Sequence, residues 1–222
     1  MRVPVAAGLL AVALFTSGGA AAAPQGCGDL GGVVQDGTCT IAKTAPGYML
    51  DVRFPVDYPG EPALLDYVTQ TREGFLNVAQ TPESRGRPYE LDITAESFQS
   101  EQTRSVVLTL FQNVGGAHPA TWYKSFSYDV VRNAPLTFDT LFAPGVIPMP
   151  VVFPIVQREL DNTSGLGSAI GVGDGMNPAH YQNFAVTDDE VIFFFGQGEL
   201  LPFYAGATSV RVPRSALPKL QV

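Results

Sequence analysis

The chain has 222 residues, with 21 acidic and 13 basic side chains and a net charge of −8. The arginines are scattered singly, so there is no basic patch for nucleic acid or an anionic membrane surface, and a cationic partner is the electrostatically easier one. With two cysteines and two histidines, there is little material for redox or metal chemistry.

Residues 1–23 have the three parts of a signal peptide: a positive charge at Arg2, an apolar run from Val3 to Phe15, and small residues suited to cleavage near Ala22 or Ala23. The run is shorter than the roughly 20 residues a membrane span needs, so the mature chain is expected to carry no transmembrane anchor. Pro24, Gln25 and Gly26 before Cys27 are a poor match to the small apolar residues that precede a lipidated cysteine. Cleavage leaves roughly 200 residues, enough for one sizeable core or two coupled layers.

Cys27 and Cys39 lie in CGDLGGVVQDGTC, and in an exported chain this spacing predicts one disulfide closing a small N-terminal segment, residues 24–47. A redox pair would stand closer together, and a metal site would need more ligands. Residues 48–54 alternate, with Tyr48, Leu50, Val52 and Phe54 facing one way and Asp51 and Arg53 the other, as in a half-buried strand. Residues 62–79 predict a helix opened by Pro62, its apolar stripe built from Leu64, Val68, Phe75 and Val78, with Leu65 and Tyr67 beside them. Strands follow at 89–98, 105–112 and 121–128, the last two forming a wide antiparallel hairpin with His118 at its tip.

Residues 136–141 predict another short strand. A helix over 151–160 must begin near Val151 or Val152, because Pro154 deeper inside would break it. The glycine-rich stretch 161–178 predicts an exposed irregular loop. Residues 184–187 and 191–195 predict strands flanking the acidic turn Asp188, Asp189, Glu190, and 208–212 a last strand stopped by Pro213. Alternation along 191–195 sets Phe194 opposite Phe193 and Phe195, so one face fills the core and the other is covered by helix or lines a groove. The order predicts an α+β fold, mainly antiparallel sheets with two principal helices packed on them, divided into 48–134 and 135–222.

The loop at 196–206 is where a functional surface is expected, because loops on a rigid sheet carry binding and catalytic groups. Within it Glu199, Phe203 and Tyr204 form the expected binding surface. His118 and His180 are the candidate bases, yet a histidine beside a turn is more commonly satisfied by backbone. Asp139, Asp174 or Asp188 could join them in a metal site, but no spacing nominates one, and neither a metal nor a cofactor is expected. The G-x-S-x-G nucleophile elbow is absent after residue 23; Gly165-Leu166-Gly167-Ser168-Ala169 only imitates it, leaving Ser168 or Ser125 to be assembled in space with a histidine.

YQNFAVTDDEVIFFFGQGELLP, PVVFPIVQREL, NVGGAHPATWYK and DYVTQTREGFLNVAQ resemble the mycobacterial secreted immunogenic protein family over essentially the whole mature chain. They are more distantly similar to the extracellular domain of the bacillary lysozyme-sensing anti-sigma factor. The resemblance implies a secreted, extracellular or cell-wall-associated protein with a C-terminal domain of unassigned function. It implies two functions: binding of a cationic protein or cell-envelope component without covalent chemistry, or a weak carboxylesterase using a serine and His118 or His180. The absent elbow and the acidic charge favour the first.

Overall fold

A computed structural model describes residues 26–81, 88–116, 118–167 and 170–222. The leader at 1–23 and Ser168 lie outside the described residues. The fold is α+β, with two sheets that are antiparallel at every pairing but one, and two longer helices packed against them.

The first sheet contains β1 (Val33–Gln35), β2 (Thr38–Ala45), β3 (Tyr48–Pro55), β4 (Tyr89–Gln99), β5 (Thr103–Asn113), β6 (Ala120–Asp129) and β7 (Ala134–Leu136), in chain order across the sheet. β3 and β4 run parallel. A parallel pair needs a long crossover, and α1 (Glu61–Ala79) supplies it. The helix buries Leu64, Leu65, Val68, Phe75 and Ala79 against Leu50, Val52, Phe54, Leu91, Ile93, Leu108 and Leu110. Val78, expected in the stripe, is 44 % exposed, because Ala79 takes the inward position and Val78 lies one residue round the helix.

The strands of the N-terminal segment were not anticipated. β2 buries only Cys39 and Ile41, too few apolar positions to stand out among threonines, alanines and a lysine. The disulfide between Cys27 and Cys39 forms as expected and ties the short 3-10 turn Cys27–Leu30 to this strand.

The second sheet has the order β10 (Thr208–Pro213), β9 (Glu190–Phe195), β8 (Phe184–Val186). Val191, Phe193 and Phe195 pack with α2 (Phe138–Leu141) and α3 (Met149–Ser164), while Ile192 and Phe194 meet Val107 and Ala185 between the two sheets. Both faces of β9 are therefore dry, the second covered by sheet rather than by helix or a groove.

Three further expectations are corrected. Residues 136–141 are not a strand: β7 ends at Leu136, and the Thr137–Thr140 capping box opens α2. α3 starts at Met149, earlier than Pro154 was expected to allow; the proline forfeits one backbone hydrogen bond while Val152, Phe153, Val156 and Leu160 hold the helix on the sheet. The stretch 161–178 is not wholly irregular, since α3 runs to Ser164, α4 (Val172–Gly175) follows, and Ile170 is buried.

Candidate functional site

His180 sits in the 3-10 turn Pro178–Tyr181, which is fixed at both ends. The Asn177 side chain accepts the Ala179 N–H at 3.1 Å, and fully buried Tyr181 donates its hydroxyl to the Gly175 carbonyl at 2.8 Å. The imidazole stands between these anchors, about a quarter exposed, with Nδ1 3.6 Å from Glu199 Oε1.

Glu199 is positioned as firmly. Its Oε2 accepts the Gly196 N–H at 2.7 Å, and its own N–H donates to the Gly196 carbonyl at 3.1 Å. Buried Leu200 and Leu201 pin the residues that follow. The carboxylate thus has one oxygen on backbone and one toward His180, and it is turned inward rather than presented to solvent. A histidine whose Nδ1 faces a carboxylate has its Nε2 free to take a proton, the base-and-orienting-acid arrangement of many hydrolases.

On the other side of the loop, Gln197 joins it to β6. Its N–H donates to the Thr121 carbonyl at 2.8 Å, its Oε1 accepts the Thr121 N–H at 3.1 Å, and its Nε2 donates to the Phe203 carbonyl at 3.0 Å. This brace frames a cleft of about 640 Å³ lined by Phe111, His118, Pro119, Thr121, Gln197, Phe203 and Tyr204. His118, at the end of the β5–β6 hairpin, lies with its ring centroid 5.8 Å from that of Phe203. Phe203 is 40 % and Tyr204 76 % exposed, so the wall of the cleft is an accessible aromatic surface. Glu199, Phe203 and Tyr204 share one loop, but only the two aromatics stand open on it.

The serines of the inter-sheet face are committed to structure. Ser125 Oγ accepts the Phe184 N–H at 2.9 Å and donates to the Gln182 carbonyl at 3.3 Å; Ser127 Oγ donates to the Phe184 carbonyl at 2.9 Å. These hydroxyls join β6 to the start of β8. Asp188, in the acidic turn, accepts the Glu101 N–H at 2.9 Å. Among the described residues, no group of three or more histidine, cysteine, aspartate or glutamate side chains could hold a metal ion.

A separate cavity of about 430 Å³ is lined by Tyr58, Ser97, Arg104 and neighbours. Burial, then the nearby Tyr128, pushes the Tyr58 hydroxyl well above its ordinary value, and it donates to the Phe126 carbonyl at 2.7 Å. It cannot serve as a base near neutral pH. The sequence marked both histidines and the loop; it carried no signal pairing His180 with Glu199, because the contact joins two loops through the tertiary fold.

The family model DUF3298, a protein family of unknown function, matches residues 139–215. A solved DUF3298 family protein from Pseudomonas aeruginosa shares the fold, with a TM-score of 0.50 at 15 % identity over 81 % of this chain and 91 % of that one. The chain is 52 % identical over 227 residues to "Esterase Rv3036c" of Mycobacterium tuberculosis, covering 100 % of both. It is 45 % identical over 214 residues to "Immunogenic protein MPT64" of the same species, covering 94 % of each. The chain belongs to the mycobacterial family that contains these two proteins. Among the described residues, no helix is long and apolar enough to cross a membrane.

Proposed function

We propose that this chain is an exported carboxylester hydrolase in which His180, oriented by Glu199, is the general base. The observation that carries the reading is the His180–Glu199 contact at 3.6 Å beside the loop that walls an open aromatic cleft. The full-length similarity to a protein named as an esterase supports it over the binding-only reading. The distance exceeds that of a formed hydrogen bond, and such contacts commonly tighten when substrate binds.

In this mechanism Nε2 of His180 takes a proton from water. The hydroxide adds to the ester carbonyl carbon, the C–O bond to the alcohol breaks, and the imidazolium returns its proton to the departing alkoxide. Glu199 orients the ring through Nδ1. The aromatic cleft receives the apolar part of the ester.

The test is hydrolysis of 4-nitrophenyl butyrate by the mature protein and its variants. His180→Ala is expected to lose about 100-fold or more in kcat, the lower end of what a positioned general base contributes. Glu199→Gln is expected to show an intermediate loss, and His118→Ala, which alters the cleft wall, to change KM more than kcat. Full activity in His180→Ala would sink the assignment. No hydrolysis above an albumin control would leave binding through the exposed Phe203 and Tyr204 surface as the function. Export rests on the leader at 1–23; protein recovered from culture medium is expected to begin just after Ala22 or Ala23, and an intact Met1 would overturn it.

A further inference from the structure

The cavity lined by Tyr58 and Arg104 opens where two strands of the first sheet part. The β3–β4 ladder runs from Tyr48 beside Tyr89 to Val52 beside Ile93 and stops there. Beyond it β4 continues to Gln99 on β5 alone, and β3 to Pro55 on β2 alone. Tyr58, just before α1 begins, reaches across to β6 and anchors its hydroxyl on the Phe126 carbonyl. The space left is about 430 Å³, with Val56, Tyr58, Pro59 and Val106 among its walls. That is the size of a small-molecule site.

Arg104 is the charged group that these walls leave unsatisfied. Its Nη1 donates to the Ser100 carbonyl at 2.7 Å and to the Thr103 carbonyl at 2.8 Å, which ties the guanidinium to the turn between β4 and β5. Nε and Nη2, which share one edge of the guanidinium plane, have no hydrogen-bond partner among the described residues. Asp57, the carboxylate on the cavity lining, is exposed and forms no ion pair with Arg104. A pinned guanidinium has already lost much of the rotamer freedom that binding would otherwise cost. Its free edge presents two parallel N–H groups, the geometry a carboxylate accepts in a bidentate pair. The Tyr58 hydroxyl spends its proton on Phe126, and Ser97 and Gln99 on the lining are neutral, so recognition of an anion falls to Arg104.

We infer that this cavity binds a small organic carboxylate, its charge on the Nε–Nη2 edge of Arg104 and its apolar part among Val56, Tyr58, Pro59 and Val106. None of these residues belongs to the aromatic cleft or to the His180–Glu199 pair, so the site goes beyond the hydrolase reading and stands or falls without it.

Titration calorimetry tests this without any ester. 3-Phenylpropionate is expected to bind about 10-fold more tightly than 3-phenylpropan-1-ol, the size of one charge-assisted pair. Arg104→Gln is expected to abolish that preference, and Arg104→Lys, which keeps the charge without the two-pronged edge, to retain only part of it. Because Arg104 also holds the turn, Ser97→Trp is the second variant: it fills the cavity from an exposed position and leaves the guanidinium in place. It is expected to stop binding of acid and alcohol alike, with an unchanged melting profile. N-acetyl-leucyl-phenylalanine, compared with its C-terminal amide, separates two sources of the carboxylate. Tighter binding of the dipeptide than of 3-phenylpropionate makes the ligand a peptide C-terminus, and the reverse a free acid; either order upholds the site. Acids that bind no better than their uncharged partners in both pairs, or a preference that persists in Arg104→Gln or in Ser97→Trp, overturn the inference.

Discussion

Individual residues in this fold are constrained mainly by what lies beside them. A Cβ on Gly32 would stand 2.6 Å from Cys27 Sγ and 2.9 Å from Cys39 Sγ, so glycine lets the chain pass against the disulfide. At Gly175 a Cβ would fall 2.0 Å from the Phe153 ring, which is how α4 closes on α3. Two tyrosines carry a pH prediction. Burial raises the hydroxyls of Tyr58 and Tyr181, while in the unfolded chain they titrate near the ordinary value of about 10. Above that pH the unfolded chain has lost protons that the native state keeps, so it binds fewer, and stability falls as pH rises. Their contribution is complete below about pH 10 and is lost on going higher. Urea unfolding between pH 8 and pH 11 is expected to show this decline, and the double variant Tyr58→Phe/Tyr181→Phe to flatten it. An unchanged slope in that variant would mean other groups set the alkaline limit.

At the scale of elements, β6 is joined to the second sheet by side chains rather than by a ladder. Ser125 and Ser127 bond the backbone of Phe184, and the Asn183 side chain accepts the Ser125 N–H at 3.1 Å. Gln197 does the same at Thr121. Hydroxyls that could have been read as nucleophiles are therefore connectors. Ser125→Ala is expected to destabilise the fold by about 1–2 kcal/mol, the cost of leaving the Phe184 N–H without its acceptor, and to leave ester hydrolysis standing. Chemical denaturation and the 4-nitrophenyl butyrate assay check the two halves; loss of activity at full stability would return Ser125 to candidacy as nucleophile.

Across the whole molecule, three apolar clusters stack in order. α1 covers one face of the seven-stranded sheet, the second sheet covers part of the other, and α2 and α3 close the outer face of that second sheet. Because β8 sits over β4, β5 and β6, the face toward β3 is left to Asp51, Asp92 and Arg53. The border between covered and uncovered face runs past Phe111 and Thr121, and the aromatic cleft opens there.

The chain's local patterns determined most of its elements and their faces. Tyr48, Leu50, Val52 and Phe54 are buried as their alternation requires, and the helix opened by Pro62 and the strands flanking the acidic turn form where periodicity places them. Cys27 and Cys39 pair as their spacing predicts. Period and turn chemistry are properties of neighbouring residues, which is why they are legible without the fold. Only the tertiary structure decided that both faces of β9 are buried, that Glu199 turns in toward His180, and that Ser125 is spent on Phe184. Each joins segments far apart in the chain. Such contacts are set by sheet order, strand register and the packing of one layer on another, which no local pattern encodes.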